Sequence, residues 1–171
     1  MEKLSYAEML ALTAPEVVGG TVVPESPEAE AAIERFRRFF SDLTVDRVEE
    51  ECARVYARDA ILHDTLVTHQ GIDEILPYFR STAERAAGVN VTIDRTVRDG
   101  SDYFIQWTMD ITWKGFGKGR TTRSVGMSHL RFNAAGEVVL HHDFWDSTSG
   151  FFEHLPVIGG LLRWIKRRVG G

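Results

Sequence analysis

Apolar residues follow two rhythms along this chain. Ser26-Pro27 supplies a helix cap and a first-turn proline, and Ile33, Phe36, Phe40 and Leu43 follow at spacings of three and four, which predicts a helix over roughly 27–43. Val45, Val48, Cys52 and Val55, with Tyr56 alongside, predict a second helix ending near Arg58-Asp59, then a short strand from Ala60 to Thr65. A third helix starts after Gly71, carries the stripe Ile72, Ile75, Leu76, Phe79 and Ala83, and stops at Gly88. Beyond Gly88 the rhythm changes. β-Branched and aromatic residues dominate, and turn signals at Asp99-Gly100, Gly115 to Gly119 and Ala135-Gly136 cut the chain into four strands over roughly 89–98, 102–114, 120–133 and 137–146. Short connections make these strands antiparallel neighbours, so the expected order is three helices with a small strand, then a four-stranded meander.

Outside this body lie two further segments. Residues 1–26 read as a peripheral arm, with a short helix from Ser5 to Leu12 and then Pro15, Gly19, Gly20 and Pro24 breaking regular structure. Residues 150–171 predict an apolar helix ending in Lys166-Arg167-Arg168. Basic side chains there complement the helix dipole, and with Trp164 they also suit a weak contact with a membrane surface. The expected division is therefore an arm over 1–26, a domain over 27–149 and a basic amphipathic helix over 150–171.

Composition fits one core. A chain of 171 residues that is 43% hydrophobic and 26% charged suits a single domain, and a net charge of −5 argues against nucleic acid as the main partner. No stretch reaches the ~18 apolar residues of a spanning helix, and Met1 to Thr21 holds no signal-peptide core, so a cytoplasmic protein is expected. The single cysteine, Cys52, forms no internal disulfide and sits on an apolar helix face as a small core residue.

Candidate chemistry concentrates late in the chain. The run Val139-Leu140-His141-His142-Asp143-Phe144-Trp145-Asp146 puts four ionisable side chains on one strand, with His141, Asp143 and Trp145 on one face and His142, Phe144 and Asp146 on the other. The two histidines thus cannot share a metal, and no metal site is expected. Along 102–114, Gln106, Thr108, Asp110 and Thr112 alternate with Ile105, Trp107, Met109, Ile111 and Trp113. Either the polar row is solvated, or it lines a pocket while the tryptophan row packs against a subunit; alternation alone leaves both open. Asp64, in Leu62-His63-Asp64-Thr65, either caps a loop or joins Asp110 and Asp143 in a cavity, where burial would raise a carboxyl pKa towards neutrality and permit proton exchange. Gly115-Phe116-Gly117-Lys118-Gly119 lies between strands and reads as a hairpin loop rather than a phosphate loop.

This order of elements, with Tyr56-Ala57-Arg58-Asp59-Ala60, Gly71-Ile72-Asp73-Glu74-Ile75 and His142-Asp143-Phe144-Trp145-Asp146, resembles the nuclear transport factor 2-like superfamily, and in particular its SnoaL-like polyketide cyclase and ketosteroid isomerase-like branch. The resemblance spans roughly residues 28–147. It implies an α+β fold in which three N-terminal helices wrap a cone-shaped, curved antiparallel sheet around a pocket. It also implies chemistry by cavity carboxylates without metals or organic cofactors. Against limonene-epoxide hydrolases, Asp143 matches an active-site aspartate and Asp110 the aspartate of an Arg-x-Asp pair, while Thr108 stands at the arginine and Leu62 and Asp64 at the cavity tyrosine and asparagine; the water-positioning set is incomplete. Against SnoaL-type cyclases, Asp143 takes the place of the last-strand aspartate that removes a proton from a carbon acid. His141 on the same face is its candidate assistant, and His141, Ser128 and Tyr78 are candidate hydrogen-bond donors to an enolate.

Two readings follow. In the first, Asp143, Asp110 and His141 perform acid–base chemistry as an isomerase, cyclase or dehydratase on a hydrophobic molecule held by Asp64, Phe36, Phe40, Tyr56, Phe79, Thr108, Ser128 and Trp145. In the second, the same fold is a non-catalytic ligand-binding or scaffold module, and the row Trp107, Met109, Ile111 and Trp113 is a homodimer surface.

Overall fold

The computed structural model describes residues 4–114 and 119–146, together with Trp164 and Arg168. Ten elements occur in the order α1 (Tyr6–Leu12), α2 (Pro27–Ser41), α3 (Val45–Val55), β1 (Tyr56–His63), β2 (Thr68–Gln70), α4 (Ile72–Arg85), β3 (Ala86–Asp99), β4 (Asp102–Trp113), β5 (Thr121–Phe132) and β6 (Val138–Trp145). The fold is mixed α+β, an open curved sheet of six strands in the order β2-β1-β6-β5-β4-β3 with the helices packed on it. The expected basic helix over 150–171 and the hairpin tip at 115–118 lie outside the described residues, apart from Trp164 and Arg168. Among the described residues, no helix is long and apolar enough to cross a membrane.

Local chemistry sets the helix starts. The Ser26 hydroxyl accepts the Ala29 N–H (3.1 Å) just before Pro27, and the Thr44 hydroxyl accepts the Arg47 N–H (3.2 Å). The apolar face of α2 then buries Ile33, Phe36, Phe39 and Phe40 against Val48 and Cys52 of α3 and Ile75 and Phe79 of α4. Each aromatic ring removed from water stabilises this core by about 1.5–3 kcal/mol. Cys52 is fully buried, and burial pushes its thiol up to about 12, so it is inert packing.

The sheet differs from the expected meander in three places. β1 begins at Tyr56, four residues before Ala60, because the chain leaves α3 directly into extended backbone and Tyr56 serves as the helix C-cap. α4 ends at Arg85 and β3 begins at Ala86, so Gly88 is a strand residue opposite Thr112 rather than a helix stop. β6, predicted beside β5 alone, also pairs in parallel with β1, setting Leu62 against His141 and His63 against His142. That pairing joins the early helical half to the meander.

The arm is not peripheral in this structure. Ser5 and Glu8 form a capping box that starts α1, and Met9 is buried against Ile61 and Leu140 on the outer face of the sheet. Arg131 of β5 donates to the Leu10 carbonyl (2.8 Å), and the Tyr6 hydroxyl meets His129 Nδ1 (2.6 Å).

Candidate functional site

Between the inner face of the sheet and α2 and α4 lies a cavity of about 330 Å³. Phe36 and Phe40 of α2 and Phe79 of α4 form one wall; Trp107 and Met109 of β4 face them. Polar groups gather at one end, where β1, β5 and β6 run side by side.

Asp143 is the centre of that end. Its Oδ1 accepts the Ser128 hydroxyl (2.5 Å) and lies 2.9 Å from His141 Nε2. A carboxylate can only accept, so Nε2 of His141 carries a proton and Nδ1 takes the hydroxyl proton of Tyr56 at 2.6 Å. The Ser128 oxygen accepts the Trp107 indole N–H (2.9 Å). The result is a continuous chain, Tyr56 to His141 to Asp143, with Ser128 and Trp107 joining from the other side. Oδ2 of Asp143 takes no hydrogen bond from a described residue. One oxygen is anchored and the other is left for a ligand.

A second carboxylate, Asp64, stands at the end of β1 where the chain turns into β2. Its Oδ1 accepts the Leu66 N–H (3.0 Å) and the Val67 N–H (2.8 Å), and its Oδ2 accepts the Tyr78 hydroxyl of α4. Burial, and then the Asp64 charge, push the Tyr78 phenol well above its ordinary pKa, so it is a neutral donor committed to Asp64. The next residue, Thr65, has φ 76°, a backbone region costly for a β-branched side chain, and its hydroxyl donates to the Asp143 carbonyl (2.9 Å). Trp145 closes the corner by donating its indole N–H to the Asp64 carbonyl (2.9 Å).

The structure thus brings Asp143, His141, Ser128, Asp64, Phe36, Phe40, Phe79 and Trp145 to one cavity. Tyr56 is fully buried behind His141 and does not line it, and burial raises its phenol pKa far above the usual value. Asp110 and Thr108 are corrections. β4 turns its odd-numbered, apolar side inward, so Trp107, Met109, Ile111 and Trp113 are cavity wall rather than a subunit surface, and the even-numbered residues face out. Asp110 is there in a two-pronged pair with Arg123 (2.7 and 2.8 Å), whose hydrogen bonds hold its carboxyl below the usual range, and Thr108 donates to Asp94 (2.9 Å). The three aspartates therefore do not converge; two of them do.

Sequence reasoning passed over Gly126. A Cβ there would fall 2.4 Å from Trp107 Cζ2 and 2.8 Å from Trp145 Cβ, so only glycine leaves room for the Trp107 ring over β5 beside Trp145. A lone glycine inside a strand pattern was the available signal. Among the described residues, no cluster of three or more His, Cys, Asp or Glu side chains is placed to hold a metal ion.

A family model described as a SnoaL-like domain matches residues 36–141, more than half of the sequence and most of the cavity wall. The chain belongs to the SnoaL-like domain family. Its fold is that of the nuclear transport factor 2-like superfamily. No curated protein matches the sequence. Among solved structures, an LEH-like epoxide hydrolase of M. tuberculosis is similar at 20% identity, covering 86% of this chain and 100% of that one with a TM-score of 0.58. A putative SnoaL-like polyketide cyclase from Shewanella putrefaciens CN-32 is similar at 17% identity, over 73% of this chain and 94% of that one, TM-score 0.61. A protein with a ketosteroid isomerase-like fold from Catenulispora acidiphila DSM 44928, in complex with trimethylamine, shares 18% identity over 75% of this chain and 91% of that one, TM-score 0.60. At such identities these structures establish the fold alone, and the chemistry must be argued from the residues of this SnoaL-like chain.

Proposed function

We propose that this SnoaL-like protein is a cofactor-independent acid–base enzyme, an isomerase, cyclase or dehydratase, in which Asp143 removes a proton from a carbon acid within a hydrophobic small molecule. The observation that carries this reading is the asymmetry of the Asp143 carboxylate: Oδ1 is fixed by Ser128 and His141, while Oδ2 has no described partner in an apolar cavity. A base so held is oriented before the substrate arrives. When Asp143 takes the proton, His141 can shift its hydrogen bond to follow the change in charge, with Tyr56 behind it holding the imidazole in register.

Epoxide opening is less well supported. A hydrolase of that kind needs a second carboxylate and a cation beside the first to position water; Asp64 is committed to Leu66, Val67 and Tyr78, Arg85 lies at the far end of the cavity, and the inner face of β4 offers only Trp107, Met109, Ile111 and Trp113. The hydrogen-bond donors near Asp143 also constrain the substrate. Ser128, His141, Tyr78 and the Trp107 and Trp145 indoles are all engaged, and the free hydroxyl lining the wall, Ser124, is four residues along β5 from Ser128, about 13 Å away. Among the described residues, no donor waits beside the base for a developing oxyanion. The fitting substrates are therefore ketones whose enolates are stabilised by their own conjugation.

The test is proton–deuterium exchange into 2-tetralone and anthrone in D₂O, followed by NMR. The wild type is expected to accelerate exchange and Asp143→Asn to lose about 100-fold or more. Bound ketones that exchange no faster than in buffer would sink the proposal.

A further inference from the structure

The cavity is electrically lopsided. Asp143 and Asp64 sit at one end, and the opposite end is marked by Trp113, six residues along β4 from Trp107 and roughly 20 Å away along the strand. Sheet pairing gathers cations around Trp113. Arg85, the last residue of α4, lines the cavity there, because Ala86 next to it is the register partner of Trp113. Lys114 N–H donates to the Arg85 carbonyl and Trp113 N–H to the Arg120 carbonyl, both at 3.1 Å, which places three basic residues at one rim. The local acid, Glu84, is engaged by Arg80 (3.0 Å). The side chains of Arg85 and Arg120 make no hydrogen bond or ion pair with a described residue. Between the two ends, Val91 and Met109 form a mostly apolar passage, with the Ser124 hydroxyl beside Met109.

We infer that the ligand is an amphipathic organic acid, its apolar body lying between Trp107 and Trp113 and its carboxylate held by Arg85 at the rim. A basic residue in the last turn of a helix also suits the helix dipole, but the dipole does not require that it border a cavity. A carboxylate placed the other way round would meet Asp143 and Asp64 in an apolar enclosure, so the charges fix orientation as well as class. The guanidinium presents a planar fork of donors matched to a carboxylate, and its exposure keeps the gain moderate. This inference rests on the acid–base reading only in naming which end of the ligand reacts.

The experiment compares binding of 9-anthracenecarboxylate and 9-anthracenemethanol, two probes of one shape, by fluorescence titration of the full chain. The wild type is expected to prefer the acid by about five- to tenfold, with the preference shrinking as salt is raised. Arg85→Gln is expected to bring the two within about twofold, while alcohol affinity reports that the cavity is still formed. Asp143→Asn should keep the acid preference, which separates failure of this inference from failure of the proposed base. Equal affinities in the wild type, or a preference that survives Arg85→Gln, would overturn it.

Discussion

The protein carries two tyrosine–histidine–aspartate chains of closely similar geometry, one on each face of the sheet. Inside, the Tyr56 hydroxyl lies 2.6 Å from His141, which lies 2.9 Å from Asp143. Outside, the Tyr6 hydroxyl lies 2.6 Å from His129, which lies 2.6 Å from Asp102. Their surroundings differ completely. Burial works to raise the Asp102 carboxyl, but hydrogen bonds from Arg131 (2.5 Å) and His129 outweigh it and hold it below the usual range. Arg131 at the same time grips the Leu10 carbonyl, so the outer chain is a clasp for the N-terminal arm. The inner chain faces a cavity and, among the described residues, meets no arginine. The same three residue types thus make a clasp where the charge is neutralised and, on the proposed function, a poised base where it is not.

The sharpest way to break this comparison is to neutralise each aspartate in turn. Asp102→Asn is expected to leave ketone exchange within about twofold of wild type, against the loss of about 100-fold or more for Asp143→Asn, and to make cleavage within residues 1–24 by a nonspecific protease faster. Equal losses of exchange from both variants would show that the faces are not functionally distinct.

Removing the hydroxyls sharpens it further. Both changes strip the partner from a buried imidazole, but Tyr56→Phe, at a fully buried ring, should lower stability by about 1–3 kcal/mol in urea unfolding, whereas Tyr6→Phe, at an exposed ring where water can replace the hydroxyl, should cost less than about 1 kcal/mol. The reverse order would mean that the arm, not the cavity floor, anchors the fold.

The smallest effect concerns pH. On the outer face His142 is buried against Tyr6, His63 and Phe144, with its Nδ1 buried and unpartnered among the described residues, and burial together with nearby His63 pushes its pKa down to about 4. His129 and His141 act in the same direction, and Asp143 opposes them. A histidine lowered in the folded state takes its proton more readily in the unfolded chain, so its stabilising contribution is complete above the ordinary value of about 6.5 and fades as pH falls from there to about 4. His142→Phe should therefore flatten stability against pH across that window, measured by urea midpoints; an unchanged slope would assign the dependence to other groups.

Much of this was legible in the chain. The helix stripes, the strand alternation and the ionisable run at residues 141–146 are local periodicities, and they put Asp143 with His141 on one strand face and Phe36, Phe40 and Phe79 on helix stripes, while the pocket between them came from the family resemblance. What was not legible depended on register between distant segments. Nothing near Asp110 says which side of β4 faces inward; that is decided by Trp107 and Trp113 fitting against the helices and by Gly126 making room on β5. The parallel pairing of β1 with β6, which delivers Asp64 to the same cavity as Asp143, joins positions nearly eighty residues apart and leaves no short-range trace. Arg85 was hidden for the same reason, since its place at the rim follows from the cross-strand partner of its neighbour Ala86.

Gly126 has a consequence for how such a pocket can evolve. A methyl group at that position would press on the Trp107 ring, and the same indole holds Ser128, which in turn holds Asp143. Cavity width and the aim of the carboxylate are therefore inherited together. A lineage that narrows its pocket at this point also loosens the hold on that carboxylate, and the helical wall is no freer, because Phe36 and Phe40 pack edge-on against His141, with ring centres 5.2 and 5.8 Å apart, and His141 also holds Asp143.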